Sequence, residues 1–225
     1  MHLIASLLRT LAHLFLQQLG DALAPPCCAA CDARLPRRAV FCAACAQTLA
    51  PCAAAEDAPL AFGAFGGALA TTVRRFKYGA RPDLARPLGA LLRRAAEDAG
   101  LAVDLIVPVP LHPHRLAERG YNQAALLAAQ LAQSLGARLG PRALARVRNT
   151  PPQAQLDRAR RLGNVVEAFR LRTPLQVRGR RVLLIDDVAT TGATLAACRA
   201  ALLEGGARSV TALVIARAER EGDAP

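Results

Sequence analysis

A chain of 225 residues with 53% hydrophobic content can bury one ordinary α/β core plus a small appendage. Its formal net charge is +12 and nearly all of the positive charge is arginine, since Lys77 is the only lysine, so its field suits an anionic partner such as nucleic acid or a phosphorylated small molecule. The same Ala-, Arg-, Gly- and Pro-rich composition also describes a merely solvated surface, and 4% aromatics without Trp argue against a rich base-stacking platform.

Leu3, Ile4, Leu7, Leu8, Leu11, Leu14 and Phe15 recur at helical spacing, which predicts an amphipathic helix over residues 1–24. Arg9, His13, Gln17 and Gln18 break the apolar run that a membrane span needs, and the basic residue lies mid-segment instead of ahead of an apolar stretch as in a signal peptide. Packing on the chain's own core is favoured over docking on a membrane surface, and a cytoplasmic location is expected.

Residues 25–55 hold six of the seven cysteines among Ala, Pro and Arg that cannot build a core alone. Cys28 and Cys31, then Cys42 and Cys45, form two CxxC knuckles ten residues apart, the spacing that folds four thiolates around one structural Zn²⁺. Cys27 or Cys52 offers an alternative ligand, and disulfides are the competing use of the same residues. Cys198, on a predicted helix, reads as a small core residue.

From about residue 56 to 225 the pattern becomes α/β. A buried strand is predicted over 105–110, a long loop marked by Pro113, Gly120 and Asn122, and a helix over 124–135 capped by Asn122. A second unit follows: strand 182–185, helix 194–203 and strand 210–216. Alternation of this kind implies a mostly parallel sheet flanked by helices, with ligands at the carboxyl ends of the strands.

After the second strand comes Asp186, Asp187, Val188, Ala189, Thr190, Thr191, Gly192, Ala193 and Thr194. A turn of small residues leading into a helix offers converging N–H groups to a phosphate, and the threonines add hydroxyls. Gly192 supplies the unusual dihedral and the close backbone approach. Asp186 and Asp187 accept from vicinal ribose hydroxyls and help to hold a Mg²⁺ bridging sugar and diphosphate. Phosphate at one end and hydroxyls at the other make this a ribose 5-phosphate grip.

The segment resembles the phosphoribosyl pyrophosphate motif of type I phosphoribosyltransferases. Pro108 to His112, Arg115, Arg119 to Gln123, then Arg146, Arg148, Thr150, Gln153, Leu156, Arg160, Asn164, Ala168 and Phe169 are similar to the ComF competence family, whose members also carry an N-terminal zinc finger and a segment like Phe76 to Gly79. The resemblance implies a type I phosphoribosyltransferase fold with a small zinc-finger subdomain and the N-terminal helix. It implies that Leu111, His112, Arg115 and Arg119 lie where pyrophosphate binds. Lys77 is a compact ammonium in an arginine background, suited to the same anion. The Arg146 to Arg160 stretch, with Pro151 and Pro152, reads as a mobile loop, and in related transferases a loop there closes over the reaction centre.

By the same resemblance the chain acts in DNA uptake, on incoming single-stranded DNA, alongside competence helicase and channel proteins. Two functions from different classes follow: a protein that grips phosphoribosyl pyrophosphate or a related phosphosugar without turnover while handling DNA, and an active phosphoribosyltransferase of nucleotide metabolism with an unidentified acceptor. A third reading is a sensor of nucleotide supply.

Overall fold

The structure, a computed structural model, describes residues 26–36, 39–52, 58–147 and 168–218. The amphipathic helix expected over 1–24, and the site residues Arg148, Thr150 and Gln153, lie outside the described residues. Backbone contacts divide the chain into two units, Met1–Gln47 and Thr48–Pro225. Among the described residues no helix is long and apolar enough to cross a membrane.

In the first unit, a tight turn closes the Cys28 knuckle through Asp32 N–H donating to the Cys28 carbonyl at 2.9 Å, with Asp32 at φ +61°. Helix α1 (Ala43–Ala46) carries the second knuckle.

The second unit is built on a parallel five-stranded sheet of order β1-β7-β6-β2-β3. Its strands are β1 (Leu60–Ala64), β2 (Leu105–Pro108), β3 (Arg138–Leu139), β6 (Arg181–Ala189) and β7 (Ser209–Arg217). A separate antiparallel pair joins β4 (Leu144–Arg146) to β5 (Phe169–Leu171). Helices α3 (Ala85–Asp98) and α5 (Gln123–Leu135) bury Leu88, Leu91 and Leu92, and Ala124, Leu127 and Ala128, at i, i+3, i+4 spacing. Helix α7 (Ala193–Glu204) shares a core with β4, β5 and the short α6 (Pro174–Val177), into which Cys198 packs fully buried, as expected.

Val182 and Leu184 belong to the core around α7, so Leu183 and Ile185, all four of these being buried, face the other side of β6. At the amino edge of the sheet the Asp104 carboxylate takes the Arg181 N–H at 2.8 Å and its guanidinium at 2.7 and 3.1 Å, which holds that carboxyl well below the usual range.

Two boundaries differ from the sequence reading. Residues 113–119, expected as loop, form helix α4 (Pro113–Arg119): Pro113 opens it, where no donor is needed, and Gly120 ends it at φ +77°. Strand β6 does not stop at Ile185 but runs on through Asp186, Asp187, Val188 and Ala189, because β7 continues beside it to the pair Ala189 with Arg217.

Candidate functional site

Helix α2 (Gly67–Tyr78) begins just after β1 and carries in its last turn Lys77, whose ammonium lies 2.8 Å from Asp187 of β6. It thus spans the carboxyl ends of the strands from β1 to β6. Tyr121, at the start of the α5 segment, donates its hydroxyl to the Phe76 carbonyl at 2.5 Å, with the two rings 5.9 Å apart. Asn122 donates to the Val109 carbonyl at 3.1 Å and caps α5 by accepting from Ala125 N–H. Three sequence-distant segments, 76–79, 119–123 and 186–194, are thereby fixed around one strand end.

The phosphate cradle comes from the turn between β6 and α7. Thr190 and Thr191 are exposed, and Gly192 stands at φ +77° as the residue before the helix. The required freedom is one of dihedral: a Cβ at Gly192 would meet nothing within 4 Å, so the close approach expected there is not imposed by the protein itself. Thr191 Oγ1 accepts from Ala193 N–H at 3.4 Å, leaving the next first-turn N–H groups directed out of the positive end of a helix of 12 residues.

Asp186 and Asp187 sit on consecutive positions of a strand and so face opposite sides of it. Asp187 is buried and bound to Lys77. Asp186 is half-buried, on the side where Cys198 and Arg146 lie within electrostatic reach. Strand β2 ends four residues before β6, so the Asp187 N–H has no strand partner on that flank and donates instead to Asp186 Oδ1 at 2.9 Å. Burial, then the Asp187 charge, push the Asp186 carboxyl up to about 7 against the pull of Lys77 and Arg146. The acids therefore offer a ligand unlike groups: one carboxylate already paired, one carboxyl poised to give or accept a proton.

Arg146 was expected in a mobile loop, but it ends strand β4, its guanidinium 5.6 Å from the Phe169 ring centre. Burial lowers its affinity for a proton, and the Arg115 charge lowers it further. Arg146 thus feels a second guanidinium as well as the Asp186 carboxyl, a repulsion that a bound anion would relieve. Arg119 is held by Gln123 Oε1 at 3.2 Å and by the Tyr78 hydroxyl at 3.4 Å. Gln123 Nε2 is buried with no hydrogen-bond partner among the described residues. Leu111 and His112 are half-buried, and His112 Nδ1 serves as cap for α4, accepting from His114 N–H at 3.3 Å. Sequence reasoning missed Tyr121 and Gln123 as site builders, although Tyr121 is one of only two tyrosines.

In the first unit the sulfurs of Cys28, Cys31, Cys42 and Cys45 all lie within 4.8 Å of one another, and those of Cys31 and Cys42 are 3.7 Å apart. Tetrahedral zinc with bonds of about 2.3 Å has sulfur–sulfur edges of about 3.8 Å, so this donor set fits such an ion. Cys27 and Cys52 are not in the group. Burial raises the Cys28 thiol, but the N–H groups of Cys42, Cys31 and Ala30 outweigh it and bring it down to about 6, while the Cys42 thiol and then burial push Cys45 up to about 12. Four thiols so close are mutually unfavourable as anions unless a cation lies between them.

Residues 121–225 match the family model of the phosphoribosyl transferase domain. Competence protein F of Haemophilus influenzae is 33% identical over 199 residues, covering 86% of this chain and 85% of that protein. The DNA utilization protein YhgH of Escherichia coli K12 is 36% identical over 154 residues, 66% of this chain and 67% of that one. Among solved structures, the glutamine phosphoribosylpyrophosphate amidotransferase of B. subtilis matches at 21% identity and TM-score 0.44, over 63% of this chain and 30% of that chain. Adenine phosphoribosyltransferase of Saccharomyces cerevisiae matches at 18% and 0.41, over 60% and 69%.

Proposed function

Because this chain belongs to the ComF family, with competence protein F and YhgH, we propose that its phosphoribosyltransferase domain grips phosphoribosyl pyrophosphate or a related ribose 5-phosphate ligand in the service of single-stranded DNA use. The observation that carries the reading is the junction of β6 and α7, which sets a helix N-terminus with Gly192 at φ +77° within a few residues of Asp186 and the Asp187–Lys77 pair. The 5-phosphate is taken by 190–194, the ribose hydroxyls by the acids, and the diphosphate by Lys77, Arg115 and Arg119. Magnesium bound with the diphosphate neutralises its charge. The carboxylates suit that hard cation, and because they face opposite sides of the strand they serve it singly. Cys28, Cys31, Cys42 and Cys45 hold a structural zinc ion.

Calorimetric titration with phosphoribosyl pyrophosphate and Mg²⁺ is expected to show saturable binding, abolished in the Asp186→Ala/Asp187→Ala protein. No heat and no thermal stabilisation of the unaltered chain would overturn the reading. The elevated carboxyl of Asp186 favours a second reading, turnover, since a group titrating near neutrality suits proton transfer to or from an acceptor while pyrophosphate leaves the anomeric carbon. Pyrophosphate release in a screen of bases and amines decides between the two.

A further inference from the structure

Along the outward face of α2, with Phe65 just before the helix and Arg119 of α4 beside its end, runs a row of rings and flat cations of which the phosphoribosyl site uses only Arg119. Arg74 is exposed, its guanidinium carbon 5.8 Å from the centre of the half-buried Phe65 ring. Tyr78 is 74% exposed, and Arg119 lies over its ring at 5.1 Å. Arg74 and Tyr78 are four residues apart and therefore share one helix face, about 6 Å apart along the axis. Phe65, Arg74, Tyr78 and Arg119 thus alternate ring, guanidinium, ring, guanidinium, with Arg75 and Lys77 beside them. The core requires none of this: α2 is anchored by Leu69, Val73 and Phe76 on its other side.

An exposed ring and a half-buried one, each with a guanidinium group over it, in a chain of net charge +12 match a polyanion that offers flat, unpaired π-faces. A duplex offers the charge but hides the faces. We propose that this face of α2 is the binding strip for single-stranded DNA, with Tyr78 and Phe65 stacking bases and Arg74 meeting phosphates, while Arg119 stays with the diphosphate and backs the Tyr78 ring. The assignment rests on the DNA-handling role proposed above and gives that role a surface. The scarce aromatics argued against a rich stacking platform, and the strip is a sparse one of two rings, each backed by a guanidinium group. Its end at Tyr78 adjoins Lys77, so a strand lying along it reaches the rim of the ribose site.

The test is fluorescence anisotropy on the full chain with a labelled oligothymidylate, an abasic strand of equal length and a duplex. The oligothymidylate is expected to bind more tightly than the abasic strand and the duplex. Tyr78→Ala should weaken it roughly tenfold while leaving abasic binding unchanged, and Tyr78→Phe should restore it. Arg74→Ala should weaken both strands and reduce the salt slope by about 0.7, without altering the melting temperature or the calorimetric response to phosphoribosyl pyrophosphate. Equal binding of normal and abasic strands, duplex binding as tight as single-strand binding, or an unaltered Tyr78→Ala affinity overturns the strip. Loss of the phosphoribosyl pyrophosphate response with strand discrimination intact overturns the ligand reading alone.

Discussion

Replacing Asp186 by asparagine keeps the size of the side chain and the acceptor for the Asp187 N–H, and removes only the charge. The carboxyl is raised from its ordinary 3.8 to about 7, chiefly by burial. A group raised in the folded state contributes stability that is full below its unfolded value and is lost as pH rises through its folded value, so the unaltered protein loses stability from about pH 4 to pH 7. At about 1.4 kcal/mol per pH unit the whole displacement is worth at most about 4 kcal/mol. Because the residue is only half-buried, screening by water reduces this to about 1–2 kcal/mol, or about 2–8 °C in melting temperature. Asp186→Asn should therefore gain that much relative to the unaltered chain at pH 8 and little or nothing at pH 4, read by thermal melts across the range. Titrating groups remote from Asp186 are common to both proteins and cancel in the difference. A melting difference that is flat from pH 4 to pH 8 would refute the claim that ionising Asp186 is costly.

Lys77→Met strands the buried Asp187 without its cation, and about 2–4 kcal/mol of stability should be lost by denaturant titration, together with ligand binding, with Lys77→Arg recovering part of both. Gly192→Ala meets no neighbour, so its cost should be the strained dihedral alone, about 1 kcal/mol, with weaker phosphate affinity measured by calorimetry. One zinc per chain is expected by elemental analysis, and its removal by chelation, or Cys31→Ser, should lower the melting temperature of the cysteine-rich unit while the Thr48–Pro225 unit keeps its own transition.

The strand-helix alternation and the four-thiol group were legible because both depend on local spacing: Val182 to Ile185 must be buried on both faces, and two CxxC knuckles ten residues apart suffice to bring sulfurs together. Lys77 could be singled out against an arginine background, but its partner Asp187 could not, since that contact joins residues 110 apart in sequence. The extension of β6 through two aspartates ran against strand propensity, and pairing with β7 overrode it. Helix α4 is a different kind of miss: Pro113 and Gly120 are start and stop signals in plain view, outweighed in the reading by their reputation as loop residues. Arg146 took its loop assignment from Pro151 and Pro152, whereas its strand partner Phe169 lies beyond them in the chain.

The unequal lengths of β2 and β6 have a mechanical meaning. From Asp186 to Ala189 the strand is a beam clamped along one flank only, by Val214, Ala216 and Arg217 of β7. Its other flank, where β2 stops at Pro108, carries no ladder beyond Ile185. The cradle at its tip is therefore held in register by β7 alone, and the acids are fixed by that one ladder and by the Lys77 ion pair.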